Sequence, residues 1–294
     1  MKKISLLVLL LIGIMGYSQE KISPYYKLGK ISTDIESLAS NVKEALTSAG
    51  FNVIGEYHPE GNSNLYVMAY TSDELIDAVS IYADRGLHAA TLKVALVQDG
   101  DHVKFSMLNP DYQFRAYLYT GFEMKQKALA KVTESAINAL KPLGSDFTPF
   151  GGEEKTEKLH KYRYKVMMPY FTNPVELNEF ESFEEGLATI QKNLEAKLGN
   201  TVKVYEIIDA EKKIAVFGVG LMDQEKGEAK FLPIIGEDHI AAMPYDIILQ
   251  GNTASMLHGK YRFALYWPEL KMGTFMKIMS TPKNVEKFMK ALTE

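Results

Sequence analysis

Six histidines are the first residues in this 294-residue chain whose chemistry invites attention: His58, His88, His102, His160, His239 and His258. No two of them stand at H-x-x-x-H or within H-E-x-x-H, the spacings that bring two imidazoles to one metal from a single helix. His88 and His239 differ from the rest because both lead into an apolar strand. One begins "HAATLKVALVQDG", residues 88 to 100, and the other "HIAAMPYDIILQGN", residues 239 to 252. Facing each other between two halves, and joined by Glu237 or Asp238, they would form a site for a borderline metal. The simpler expectation is that each histidine packs or caps at the entrance to its own strand. His58 shares a strand face with Glu56, an arrangement that equally suits an exposed hairpin end.

Other chemistry is thinner. Met272, Met276 and Met279 recur at steps of four and three, the spacing of a soft thioether site for copper(I), yet methionine also fills irregular core gaps. "FGVG", residues 217 to 220, follows a strand but lacks the third glycine of a dinucleotide fingerprint, and the acidic "LMDQEKGEAK" after it is a poor seat for pyrophosphate. Close packing of a glycine-bearing strand explains it better. No G-x-S-x-G elbow and no nucleophile beside a base occurs. Glu153-Glu154 sits in a connecting stretch, and Glu184-Glu185 in a first helical turn where acids favour the helix dipole. Aromatic residues are more suggestive: Tyr162, Tyr164, Tyr170 and Phe171 cluster, as do Tyr261, Phe263, Tyr266 and Trp267. They would line an apolar pocket with a few polar tips, or simply fill a core. The ligand-binding candidates are therefore His88, His239, Tyr164 and Trp267. No catalytic residue and no cofactor emerges, and a metal is left open.

Composition narrows the class. With 46% hydrophobic and 24% charged residues the chain reads as an ordinary globular protein. Its formal net charge of −4 offers no clustered positive surface for nucleic acid. The opening "MKKISLLVLLLIGIMGYSQ" has the charged, apolar and small-residue order of a secretory signal. Its apolar run, Ile4 to Met15, is too short to span a bilayer. We expect removal after Ser18, leaving 31 basic residues against 37 acids and a net charge of −6. No cysteine is present, so lipid attachment, disulfides and thiolate chemistry are excluded. The expected compartment is the periplasm or the exterior of the cell, with no stable membrane span in the mature protein.

The elements that must position these residues follow from periodicity. Residues 33 to 49 read as an amphipathic helix closed by Gly50. "FNVIGEYH" and "LYVMAY" read as strands about a polar turn, then a helical stretch from Ser72 to about Asp84. Alternation about Asp99-Gly100 predicts a β-hairpin, and 124 to 141 a further helix. Residues 142 to 158, rich in Pro, Gly and charge, read as a linker. The order then restarts: a strand "KYRYKVMM"; a helix opened by the capping box of Ser182 and Glu185; a hairpin across "DAEK"; a second hairpin running into a long strand from about Thr253 to Trp267; and a helix from about Pro282 to Leu292. The expected fold is α+β, two tandem copies of a two-layer sandwich, each a mainly antiparallel sheet covered by helices. The order in each is β-α-β-β-α-β-β-α. The expected boundaries are 1–18 signal, 19–142 first repeat, 143–158 linker and 159–294 second repeat.

"AGFNVIGEY" with its preceding helix, "VKFSMLNPDYQFRAYL", "YRYKVMMPYF", "VFGVGL", "MPYDIIL" and "FMKIMSTP" together resemble the domain-of-unknown-function 302 family. Within it they resemble a two-copy exported subgroup, over nearly all of residues 25 to 292. Shorter members carry "FGNP" where this chain has "FGVG" at 217 to 220 and "MAYTSD" at 68 to 73. The resemblance implies a fold and no established activity. The expected function is a non-catalytic small-ligand-binding or protein-interaction module of the cell envelope, whose partner is an apolar small molecule or an envelope protein. The alternatives are a metal-binding protein or metal-dependent enzyme using His88 and His239, and an envelope structural or assembly component. Oligomeric state is open.

Overall fold

The computed structural model describes residues 20–82, 84–118, 121–163 and 167–294. The expected signal segment and Tyr164 lie outside the described residues. The first half contributes β1 (Lys21–Ile22), β2 (Tyr25–Ile31), α1 (Ile35–Ser48), β3 (Asn52–Tyr57), β4 (Leu65–Thr71), α2 (Asp73–Val79), β5 (Leu92–Asp99), β6 (His102–Leu108), α3 (Pro110–Tyr117) and α4 (Phe122–Leu140). After β7 (Thr148–Phe150) and β8 (Glu154–Lys155) come β9 (Val175–Glu179), α5 (Phe183–Glu195), β10 (Thr201–Asp209), β11 (Ile214–Leu221), α6 (Glu228–Ile235), β12 (Tyr245–Gln250), β13 (Thr253–Met256), α7 (Gly259–Tyr266), α8 (Met272–Phe275) and α9 (Thr281–Ala291). The protein is α+β with antiparallel sheets and packed helices. No described helix is long and apolar enough to cross a membrane.

Local chemistry sets the helix and hairpin positions. At the start of α1 the Ser37 N–H donates to Asp34 Oδ1 at 2.8 Å, and Leu38, Val42 and Leu46 turn inward. The Glu185 N–H donates to Ser182 Oγ at 3.1 Å to open α5. Asp99 and His102 pair across the turn at Gly100, which sits at φ 65°, as the turn expected there requires.

One sheet has the order β3-β4-β5-β6-β2-β7 and the other β10-β11-β12-β13-β9. Every residue of β4 and of β11 is buried, so both strands are covered on both faces. Helices α1 and α5 pack against their own sheets, and the opposite half supplies further cover. The turn Gly86–Ala90 crosses to β12, and the turn Glu237–Ala242 crosses to β5. The edge strands β3 and β10 approach so closely at Gly55 that a Cβ there would lie 2.2 Å from the Val204 carbonyl oxygen. Only glycine fits at that point.

Three expectations need correction. In "KYRYKVMM", residues 161 to 168, none of the described residues belongs to a named strand. The first described strand of the second half is β9, and near the expected position Arg163 and Tyr170 form only an isolated bridge. Alternating tyrosine and basic residues imitate a half-buried strand, but Lys161, Tyr162 and Arg163 are all exposed. The long strand to Trp267 ends at Met256, and the aromatic run behind it is α7, capped where the Lys260 N–H donates to His258 Nδ1 at 3.2 Å. A helix buried almost all round shows no 3.6-residue stripe, so its alternating aromatics read as a strand. Residues 142 to 158 carry ordered strands, with β7 pairing to β2 and β8 to β1.

Candidate functional site

Helices α3 and α7 meet between the halves and exchange matching bonds. "YQFRAYL" begins at Tyr112 and "YRFALYW" at Tyr261, so tyrosines recur at the first and sixth places of each. The Tyr112 hydroxyl donates to the Leu265 carbonyl at 2.5 Å, and the Tyr261 hydroxyl donates to the Ala116 carbonyl at 3.3 Å and to Leu159 at 2.9 Å. Tyr117 and Tyr266 join hydroxyl to hydroxyl at 2.6 Å. Second in each run, Gln113 Nε2 donates to the His88 and Thr91 carbonyls at 2.8 and 2.9 Å, while Arg262 donates to those of Ala242 and Pro244. The Arg262 guanidinium also lies 3.7 Å over the Tyr245 ring.

Behind these helices a buried ionic cluster spans the halves. Asp246 Oδ2 lies 3.7 Å from Lys93 Nζ and 3.7 Å from His88 Nδ1, and its other oxygen accepts from the Tyr205 hydroxyl. Burial pushes the Asp246 carboxyl upward, but Lys93, His88 and the tyrosine outweigh it and hold it well below the ordinary carboxylate range. Burial lowers both His88 and Lys93, against the pull of Asp246. Glu228 is a second buried acid. It accepts from the Glu60 N–H at 2.9 Å, the Leu221 N–H at 3.2 Å and the Tyr57 hydroxyl at 3.2 Å. Burial raises it to about 7 despite those donors. Lys93 in "TLKVALV" and Asp246 in "PYDIIL" were missed from sequence. A lone charge of opposite sign inside each apolar strand was the signal.

The predicted site residues separate. His88 joins the ionic cluster, with the Tyr117 ring 5.6 Å away. His239 Nε2 is 2.7 Å from Glu269 Oε1, and its ring lies 5.9 Å from that of Trp267 and 5.4 Å from that of Tyr25. The two histidines thus have separate partners, and neither Glu237 nor Asp238 joins them. Among the described residues no three or more His, Cys, Asp or Glu side chains are grouped to hold a metal ion. Trp267 is buried against Phe263 and Tyr266, as a core residue. The "FGVG" glycines lie inside β11, where a Cβ on Gly218 would meet the Tyr205 ring at 2.3 Å. Met272, Met276 and Met279 are exposed, outside the core.

The aromatic lead partly converges on open space. Where residues 154–163 and Tyr170 meet α3 and α7, a groove of about 440 Å³ opens. Its aromatic wall is Tyr112, Tyr162, Tyr170 and Tyr261, with Leu159 and Leu265 between them. Lys158, Lys161 and Arg163 stand around it with one acid, Glu154. Lys161 and Tyr170 are shared with a neighbouring depression of about 480 Å³ lined by Asp84, Arg85 and Tyr117. Arg85 is buried there and donates to the carbonyls of Ala116, Thr172 and His160, fixing the chain around residues 160 and 172 to the first half. Phe171 lies beneath, stacked on the His258 ring at 4.4 Å. A concave, mostly apolar space with a few polar groups is suited to binding a small molecule. Among the described residues that line it, no nucleophile and base are paired.

No family model matches the chain, and no curated protein matches it. Among solved structures the chain is similar to an uncharacterised conserved DUF302 protein from Bacillus stearothermophilus. Identity is 13% and the TM-score 0.32, over 40% of this chain and 94% of that one.

Proposed function

We propose that this chain is an exported, non-catalytic binding protein of the cell envelope, and that its ligand is a small, largely apolar molecule held in the groove that residues 154–163 and Tyr170 form with helices α3 and α7. The observation that carries this reading is the groove itself, about 440 Å³ of space with a four-tyrosine wall. That volume lies in the range of ordinary ligand sites. Export is proposed from the leader-like first eighteen residues alone.

The chain is also proposed to be one module written twice, in the manner of a two-copy DUF302 protein. Matching strand orders in the two sheets support this. So do the reciprocal tyrosine bonds of α3 and α7, which resemble the isologous contacts of a twofold dimer. Under this reading the groove belongs to the junction of the copies, the first giving Tyr112 and the second, with the segment before it, the rest of the lining.

The test is native mass spectrometry of the mature chain purified without organic solvent, followed by denaturation and small-molecule analysis of what is released. A stoichiometric adduct, lost when Tyr162→Ala and Tyr170→Ala are combined, is the expected result. A bare chain whose melting temperature is unmoved by aromatic and aliphatic acids, alcohols and amines would overturn the proposal.

A further inference from the structure

The groove's chemistry is uneven in a way that selects among ligands. Its deepest tyrosines, Tyr112 and Tyr261, are buried, and their hydroxyls are committed to the carbonyls of Leu265 and Leu159. They therefore back the groove as part of the packed core, offering no free hydroxyl and almost no exposed ring, and the open aromatic surface belongs to Tyr162 and Tyr170. Tyr162 and Tyr170, about 37% and 38% exposed, extend the wall outward.

Charge lies at the rim. Lys158, Lys161 and Arg163 line the groove against a single carboxylate, Glu154. Among the described residues none of these three cations has an acidic partner within ion-pair distance. This positive excess stands on a chain whose formal net charge is −4, so it runs against the protein's overall field. The Arg163 guanidinium is 3.9 Å over the Tyr170 ring. Stacking occupies the face of a guanidinium and leaves its N–H edge to bind a carboxylate or sulfonate.

We propose that the groove takes a flat aromatic or apolar acid, with its rings against the tyrosine wall and its anionic group at Lys158 and Arg163; this rests on the ligand-binding reading above. The neutral and cationic counterparts of the same skeleton are the disfavoured occupants. A charge-assisted hydrogen bond contributes about 1.5–3 kcal/mol, which corresponds to about tenfold or more in affinity.

Three probes of one shape test this by isothermal titration: 2-naphthoate, 2-naphthalenemethanol and 2-naphthylmethylammonium. The naphthoate is expected to bind about tenfold more tightly than the alcohol, and the ammonium most weakly, with the preference shrinking at high salt. The double variant Lys158→Gln, Arg163→Gln changes exposed side chains. It should abolish the preference, so that naphthoate and alcohol bind the variant equally, while keeping the melting temperature. Equal binding of naphthoate and alcohol, or tighter binding of the ammonium, overturns the assignment of an acid and leaves a ligand groove standing. Failure of all three to bind the unaltered chain overturns both. A preference that survives in the double variant would move the anion site elsewhere and overturn it as well.

Discussion

Helices α3 and α7 have matching partners but differ at their second tyrosine-flanked position, where Gln113 faces one set of carbonyls and Arg262 the other. The amide satisfies two acceptors without introducing charge. The guanidinium does the same work and adds a buried cation, stacked on Tyr245 and near Tyr266. A neutral solution to this packing problem therefore exists within the same molecule. The charge on the α7 side belongs with Asp246 and Glu228, which also come from the second half, while Lys93 and His88 come from the first. The ion pair that crosses the junction is Lys93 from the first half with Asp246 from the second, while burial disfavours the charged form of His88 beside them. The groove outside it keeps its cations exposed and, among the described residues, without acidic ion-pair partners. Buried charge of this kind favours one docking register over others, because a slipped arrangement would strand an ion in a medium that solvates it poorly.

The largest effect should come from removing the acid at the centre. Asp246→Ala leaves Lys93 buried beside an empty site and strands the Tyr205 hydroxyl. We expect a loss of about 3–5 kcal/mol in urea unfolding. Lys93→Met combined with Asp246→Leu should recover much of it, since replacing a whole buried pair with apolar side chains is often neutral. If Asp246→Ala alone left stability unchanged, the junction would not depend on its ions.

Glu228 gives the next effect, and it depends on pH. Its carboxyl is raised from 4.5 to about 7 in the fold, so between those values the native state holds a proton that the unfolded chain has released. Stability from this group is full below pH 4.5 and declines as pH rises through 7, by up to about 3 kcal/mol. His88 acts oppositely: burial lowers its proton affinity, so its contribution improves as pH rises through its ordinary range. Comparing pH profiles separates the two. The difference in unfolding free energy between the unaltered chain and Glu228→Gln should change steadily from pH 5 to pH 8, in favour of the variant at the alkaline end. A constant difference would mean that Glu228 does not titrate there.

The sequence was most informative where structure is decided locally. The helix α1, the cap at Ser182 and the hairpin at Gly100 follow from amphipathic spacing, a side-chain acceptor and a glycine at positive φ. It was least informative where neighbours decide. Helix α7 is buried on nearly every side, so its aromatic alternation imitated a strand. The same burial turned Trp267 from a candidate contact into core, and gave His88 and His239 different partners. Of the groove, sequence pointed to Tyr162, Tyr170 and Tyr261 but neither to Tyr112 nor to their meeting. Tyr162 and Tyr170 come beside Tyr112 and Tyr261 through contacts distant in sequence, Arg85 holding the His160 and Thr172 carbonyls and the Tyr261 hydroxyl holding that of Leu159. Lys158 and Arg163 carry no pattern that separates them from other surface cations.

The Gln113 and Arg262 comparison can be sharpened directly. Arg262→Gln places on α7 the side chain that α3 already uses. Gln reaches less far and forfeits the stack on Tyr245, so we expect a loss of about 1–2 kcal/mol rather than the larger loss of a stranded ion. Thermal unfolding beside Gln113→Ala measures whether the two sites are equivalent. A loss for Arg262→Gln as large as that for Asp246→Ala would show that the guanidinium is held in the ionic cluster, and that the matching bonds to carbonyls are incidental.

The smallest effect falls where the two helices touch. Tyr117→Phe and Tyr266→Phe each delete one side of the hydroxyl contact at 2.6 Å. Each alone leaves a buried hydroxyl missing a partner, although Tyr266 sits near Arg262, which holds its phenol nearer the ordinary range, at about 12, than burial alone would. Each single change should lose about 1 kcal/mol. The double change should lose less than the sum, because both orphaned groups are then gone. The double-mutant cycle in urea reads this coupling. Additive losses would mean that the hydroxyls do not bond to each other, and that the two helices meet through ring packing and the Tyr112 and Tyr261 bonds alone.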